Sequence, residues 1–237
     1  MDKINELAKM IDHSILHPTM TDEDLKRECE VAMKYHVASV CVKPYAVKQA
    51  VELVKGSDVL AGCVIGFPHG NSSTEVKAFE TEKAIADGAV EIDMVVNIGK
   101  VLGEQWDYVE KEIKTMVDIT KKNNAVLKVI FENDYLPEDK YKIKLCEICS
   151  KVKADYVKTS TGFGFVKGPD GKYSYEGATE HDLKLMREHA APDVKVKAAG
   201  GVRTLDQLLK VQELGCSRSG ATATVAIMEE AFSRFGH

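Results

Sequence analysis

Eight times along this chain a short run of apolar and β-branched residues is followed by a longer amphipathic segment, and that alternation restricts the fold more than any other feature. The strand-like runs fall at 10–15, 37–42, 59–66, 89–96, 126–132, 154–160, 193–199 and 216–220. Helical periodicity lies between them near 21–36, 45–55, 73–88, 104–123, 137–152, 179–190, 204–214 and 222–234, with a short leading helix at 2–9. Cap chemistry marks several starts, at Thr21, Ser73 and Thr204, and Gly88 and Gly215 stand where helices should stop. Strands that are apolar almost throughout, each followed by a helix, imply a parallel sheet covered on both faces, and eight such units imply a closed (β/α)8 barrel. No linker or repeat divides the chain, so residues 1–237 are expected to form a single TIM-barrel domain. One connection is out of proportion. The segment 162–178 after the sixth strand holds a Pro169-Asp170-Gly171 turn flanked by Phe165-Val166-Lys167 and Lys172-Tyr173-Ser174-Tyr175, which reads as a small hairpin and a candidate lid.

With 44% hydrophobic residues the chain can build a sizeable core, and a net charge of −5 argues against a nucleic-acid or anionic-membrane surface. No apolar run approaches the roughly 18 residues that cross a bilayer, and the N-terminus has no signal-peptide core. The six cysteines lie mostly in apolar segments, as expected of reduced thiols in a cytoplasmic protein. Cys146 and Cys149 form a CxxC inside a helical pattern without a second pair, and His13 and His17 have metal-ligand spacing only if helical, whereas their stretch reads as extended. Packed thiols and packed or rim histidines are the expectation, with no metal.

The chemistry concentrates at the ends of strands. Lys158 lies inside the sixth and Lys197 inside the seventh, each just before a turn of small residues. Burying an unpaired ammonium costs several kcal/mol or drives it to the neutral form. Asp93, Lys128, Asp12 and Cys41 occupy comparable places in the fourth, fifth, first and second strands, so three lysines and several carboxylates converge on one cavity. Taken singly, each is more simply a structural ion pair. Two adjacent lysines have a further consequence, because a second ammonium about 4 Å away costs on the order of 4 kcal/mol at an effective dielectric of about 20, enough to lower one pKa by up to about 3 units. A free amine made this way attacks carbonyls to form a Schiff base, with Asp93 handling protons. Small-residue turns at 160–162, 199–203 and 219–222 follow three consecutive strands, and their backbone amides, with the start of the last helix, suit a phosphate.

The stretches IDHSILHP, SVCVKP, IGFPHGNSSTEVKAFETEKAI, GAVEIDMVVNIG, LKVIFE, YVKTSTGF and VKAAGGVR, in that order over nearly the whole chain, resemble the deoxyribose-phosphate aldolase family. The resemblance implies a class I lyase without metal or cofactor. Such an enzyme cleaves 2-deoxy-D-ribose 5-phosphate reversibly to D-glyceraldehyde 3-phosphate and acetaldehyde in deoxyribonucleotide catabolism. It implies Lys158 as the Schiff-base residue, Lys197 as the partner that tunes it and Asp93 as the proton relay. Gly162, Gly200, Gly201 and Gly220 to Thr222 would bind phosphate, and Asp12, Cys41 and Lys128 would line the cavity. Lys195 lies outside the motif. Departures from the family pattern are Lys43 in VCVKP, His69 in GFPHG, Ala223 in GATAT and the longer 165–176 segment. Other readings are an aldolase of the same family acting on another phosphorylated sugar or a keto acid, and a non-catalytic paralogue, which would have no need of two like charges side by side. Exposed apolar positions on the outer helices suggest a homo-oligomer, a dimer first.

Overall fold

In the computed structural model, which describes residues 3–236, a leading helix α1 (Lys3–Ala8) precedes a closed barrel of parallel strands. Its first half runs β1 (Ile11–Ile15), α2 (Asp22–Lys34), β2 (Ser39–Val42), α3 (Val47–Leu53), β3 (Leu60–Ile65), α4 (Thr74–Ala86) and β4 (Glu91–Val95). The chain continues through α5 (Ile98–Leu102), α6 (Trp106–Lys122), β5 (Val126–Ile130), α7 (Asp139–Val152) and β6 (Tyr156–Lys158). A two-stranded hairpin, β7 (Val166–Lys167) and β8 (Tyr173–Ser174), interrupts the alternation before α8 (Glu180–His189), β9 (Lys195–Ala199), α9 (Leu205–Glu213), β10 (Cys216–Ala221) and α10 (Thr224–Phe235). The barrel closes in the order β1-β2-β3-β4-β5-β6-β9-β10, with β10 pairing back to β1 from Ile11↔Ser219 to His13↔Ala221.

The expected eight-fold alternation is therefore the observed one, and the short, polar eighth strand is a full barrel member paired on both sides. The caps act as their residue types predict. Thr21 and Asp24 form a reciprocal capping box, as do Thr204 and Gln207, and the Ser73 side chain accepts from Val76 N. Gly88 follows α4 at φ +104°, a conformation that glycine reaches without penalty. Helix α5, capped by Asn97, is an element that the expected single helix at 104–123 did not include.

Strand alternation sorts the side chains into two environments. Ile92, Met94, Leu127, Val129, Val157, Val196 and Ala198 point outward into one continuous apolar core beneath the helices. The residues between them point into the barrel, and there the filling is ionic rather than the layered aliphatic packing usual in such barrels: Asp12, Glu91, Asp93, Lys128, Lys158 and Lys197 are all buried. A second buried pair lies outside the barrel wall. Lys77 of α4 donates to Glu112 of α6 (2.7 Å) and to Val95 O (2.8 Å), and Glu112 accepts from Asn97 N (2.9 Å), locking α4, α6 and the end of β4 together.

Candidate active site

Register places the two strand lysines side by side, Lys158 on β6 opposite Lys197 on β9, while Asp93 on β4 pairs with Lys128 on β5. Both lysine Nζ atoms lie 2.7 Å from Asp93 Oδ2, so the ammonium groups are no more than twice that distance apart. Lys197 also reaches Asp12 Oδ2 at 2.5 Å. Lys128 touches Glu91 (2.6 Å), Asp12 (2.8 Å) and Asp93 Oδ1 (3.3 Å). Arg218 on β10 spans the lower end, donating to Glu91 Oε1 at 2.9 Å and closely to Asp12 Oδ1. Four cationic side chains thus share three carboxylates. Asp93 Oδ1 has no hydrogen-bond partner among the described residues, its contact with Lys128 at 3.3 Å being an ion pair alone.

The surplus charge settles on the lysine with fewest anionic contacts. Burial lowers the Lys158 pKa, Asp93 pulls against this, Lys197 adds to the lowering, and the net shift is downward. Burial acts on Lys197 in the same sense, but Asp12 and Asp93 together overcome it and its pKa is raised. For Asp93, burial would raise the carboxyl, yet Lys128, Lys158 and Lys197 hold it well below the usual carboxylate range. Desolvation is therefore the first cause of the Lys158 shift, and the neighbouring ammonium that the sequence singled out is a lesser one.

Above the lysines opens a cavity of about 400 Å³, whose lining includes Thr161, Gly162, Gly200, Gly201, Gly220 and Thr222. Gly162, Gly200 and Gly201 all hold positive φ, which turns their backbone toward this space. Gly220 connects it to the charged network: a Cβ there would meet Lys197 Cε and Ser14 Oγ at 3.7 Å. Helix α10 begins beside the cavity without a side-chain cap, since Ala223 is its N-cap residue, so the first N–H groups of that helix face the Thr222 turn.

Comparison with known proteins agrees with this geometry. The sequence matches the DeoC/LacD family of aldolases over residues 7–228. The chain belongs to that family. It is 48% identical over 232 residues to the deoxyribose-phosphate aldolase of Rhodopirellula baltica, covering 98% of this chain and 92% of that one. It is 49% identical over 229 residues to the deoxyribose-phosphate aldolase of Clostridium perfringens strain SM101, covering 97% and 96%. Among solved structures, the tetrameric deoxyribose phosphate aldolase of Aeropyrum pernix superposes with a TM-score of 0.85 at 28% identity, covering 98% of this chain and 93% of that one.

Within this aldolase the site residues expected from sequence fall into two adjoining groups. Lys158, Lys197, Asp93, Asp12 and Lys128 form the charged network, and Gly162, Gly200, Gly201, Gly220 and Thr222 line the cavity over it. Cys41 lies apart from both hydrogen-bond systems. It packs with Leu16 and Val64 against Phe67 and Phe163, and burial with the nearby Asp93 charge pushes its thiol up to about 11. Lys195 stays at the outer end of β9, exposed, with Nζ 5.6 Å from the Tyr156 ring centre. His13 is packed, its ring nitrogens 2.7 Å from Thr224 Oγ1 and 3.0 Å from Glu28, whereas His17 sits on the cavity rim beside Phe163. Lys43 donates to His17 O and Met20 O, closing the turn after β1. Cys146 and Cys149 are buried in α7 as free thiols.

Two interior groups went unrecognised in the sequence. Arg218 and Glu132 are both close to the chemistry, and Glu132 falls at the end of the strand expected at 126–132. In fact β5 ends at Ile130, and Glu132 takes φ +59° with its carboxylate turned to Thr161 N at 3.1 Å and to the Thr161 hydroxyl. Gly164 is needed for that clamp, because a Cβ there would lie 2.7 Å from Glu132 Cδ. Away from the barrel mouth, Asp139, His181 and Asp182 form the one His/Asp cluster of metal-ligand spacing among the described residues, and Lys142 already bridges its two carboxylates at 2.9 and 2.6 Å. No described helix is long and apolar enough to cross a membrane.

Proposed function

We propose that this aldolase cleaves 2-deoxy-D-ribose 5-phosphate reversibly to D-glyceraldehyde 3-phosphate and acetaldehyde. The carrying observation is the Lys158 amine: buried, depressed toward its neutral form, held 2.7 Å from Asp93 and set beneath a cavity walled by glycine turns. The names of the relatives support the substrate. Lys158 attacks C1 of the open-chain sugar and, with loss of water, forms an iminium. Asp93, through a water, takes the C3 hydroxyl proton as the C2–C3 bond breaks, while the protonated Lys197 holds the Asp93 carboxylate in place. C3 leaves as the aldehyde of glyceraldehyde 3-phosphate, and the bonding electrons pass to the iminium to give an enamine. Protonation at C2 and hydrolysis release acetaldehyde and restore the amine. Gly162, Gly200, Gly201, Gly220 and Thr222 hold the phosphate through backbone amides and one hydroxyl.

Borohydride reduction in the presence of acetaldehyde, followed by peptide mass mapping, tests this reading. A two-carbon adduct on Lys158, lost with turnover in a folded Lys158→Leu variant, is the expected result; an adduct on Lys195 or Lys197, or none, refutes it. Comparing turnover of deoxyribose 5-phosphate with ribose 5-phosphate separates the proposed substrate from another sugar phosphate. The same reading places the enzyme in the cytoplasm, where its six thiols stay reduced. It also takes the enzyme to be a homodimer. Val76 and Phe79 on α4 expose apolar surface that a second copy would cover, and light scattering on the purified chain reads the mass directly.

A further inference from the structure

The long segment after β6 contains its own structure. Lys167 pairs with Tyr173 and Val166 with Ser174 across a turn in which Gly171 holds φ +79°. The tip of this hairpin is exposed, but its returning end is fastened to the barrel. Asp134 accepts from Glu176 N (2.5 Å) and Gly177 N (3.2 Å), and Ala178 N donates to Gly200 O (3.0 Å). Gly177 is pressed backbone to backbone on the turn after β9: a Cβ there would come within 2.6 Å of Gly200 O. These contacts carry Tyr175 to the cavity wall. Its ring stands edge-on to Phe165 with centroids 5.3 Å apart, and its Cε2 lies 3.5 Å from where a Gly200 Cβ would be.

Tyr175 and Arg203 both line the 400 Å³ cavity, and the tyrosine Oη is 3.5 Å from Arg203 Nη2. Arg203 is the one permanent cation among the lining side chains, since the other charged group, Glu28, is held by His13. The turn after β10 offers the Thr222 hydroxyl, but Ala223 has none to add. A phosphoryl group seated there finds a single side-chain hydroxyl on that side and meets Tyr175 on the other. We propose that Tyr175 is a specificity-determining residue, brought in by the hairpin, whose hydroxyl accepts from Arg203 and donates its own proton to a phosphoryl oxygen of the substrate. The assignment rests on the sugar-phosphate reading above and adds to it the residue that distinguishes a phosphorylated from an unphosphorylated sugar.

The test compares the full-length enzyme with Tyr175→Phe, which keeps the ring packing on Phe165 and removes only the hydroxyl. Two readouts are used: inorganic phosphate affinity by calorimetry, and kcat and KM for deoxyribose 5-phosphate and for 2-deoxyribose. Losing a hydrogen bond to a charged group is expected to weaken phosphate binding and raise KM for the phosphorylated sugar about tenfold or more. Turnover of 2-deoxyribose should not change. Unaltered phosphate affinity, or an equal rise in KM for both sugars, overturns the assignment. If the wild-type enzyme cleaves neither sugar while Tyr175→Phe still loses phosphate affinity, the aldolase substrate falls and the phosphate role of Tyr175 stands.

Discussion

Arg218 lies outside the reacting pair, yet it should govern how reactive Lys158 is. Its Cα partner across the sheet is Lys197, and the partner of Lys197 is Lys158, so Arg218 acts across two strand spacings, about 10 Å. At an effective dielectric of about 20, a unit charge at that distance is worth about 1.7 kcal/mol, or about one pKa unit. Replacing Arg218 with methionine removes a positive charge and leaves Asp12 and Glu91 with one fewer counter-ion. Both changes stabilise the protonated form of Lys158, so its lowered pKa should climb by about one unit. In a pH profile of kcat/KM the acid limb, set by loss of a proton from Lys158, should then move up by about one pH unit with the plateau retained. Measured below that limb, the variant should be about tenfold slower. Arg218→Lys restores the charge and should bring the limb back most of the way, which separates electrostatics from packing; thermal melts verify that both variants fold. If the Arg218→Met limb superimposes on that of the wild type, or if Arg218→Lys shifts as far as Arg218→Met, surplus charge is not what depresses Lys158.

Two other expectations concern groups around the site. Lys77→Met leaves Glu112 buried without its cation, and burial already pushes that carboxyl up. The cost should be about 3–5 kcal/mol, seen as a fall in Tm on the order of 10 °C by calorimetry. Ala223→Ser supplies α10 with the N-cap oxygen it lacks and puts a second hydroxyl beside Thr222. It should stabilise the fold by roughly 0.5–2 kcal/mol in urea unfolding and tighten inorganic phosphate binding in calorimetry, whereas a loss of either would mean that the Ala223 side chain is packed rather than available.

Most of the barrel could be read from the sequence because its outer core follows a strict two-residue alternation: Ile92 and Met94, Leu127 and Val129, Val196 and Ala198 are what made the strands recognisable. The same alternation exposed the interior charges, since Asp93, Lys128, Lys158 and Lys197 are the intervening residues. Arg218 escaped for a physical reason. Cys216–Ala221 is mostly polar, so no apolar frame marks its inner face, and a register shift between Cys216 and Arg218 breaks the parity by which an inward residue is counted. Glu132 was misplaced because a left-handed residue two positions beyond a strand leaves no local sign. Tyr175 reaches its place through contacts with Asp134 and Gly200, far away in sequence, which no window over 162–178 contains. Lys195 shares strand parity with Lys197, but it lies nearer the outer end of the barrel, and parity says nothing about depth.

Anionic contacts are what set the proposed nucleophile apart. Lys128 pairs across the sheet with Tyr156, two residues below Lys158, and touches three carboxylates; Lys197 touches two; Lys158 touches one. Lys158 and Lys197 stand opposite each other, so with four cations to three carboxylates it is Asp12, touching Lys197 and not Lys158, that leaves Lys158 the least compensated lysine. In the proposed reaction the free amine attacks, but the iminium it becomes is a fixed cation, held 2.7 Å from Asp93 in a buried site. An environment short of anions before reaction therefore yields an amine, and the single carboxylate it retains is placed for the charge that the reaction creates. Replacing Asp93 with asparagine would remove that counter-charge and should tip Lys158 still further toward the neutral form, yet leave its iminium without a counter-ion. Reactivity here depends on keeping one carboxylate, not none.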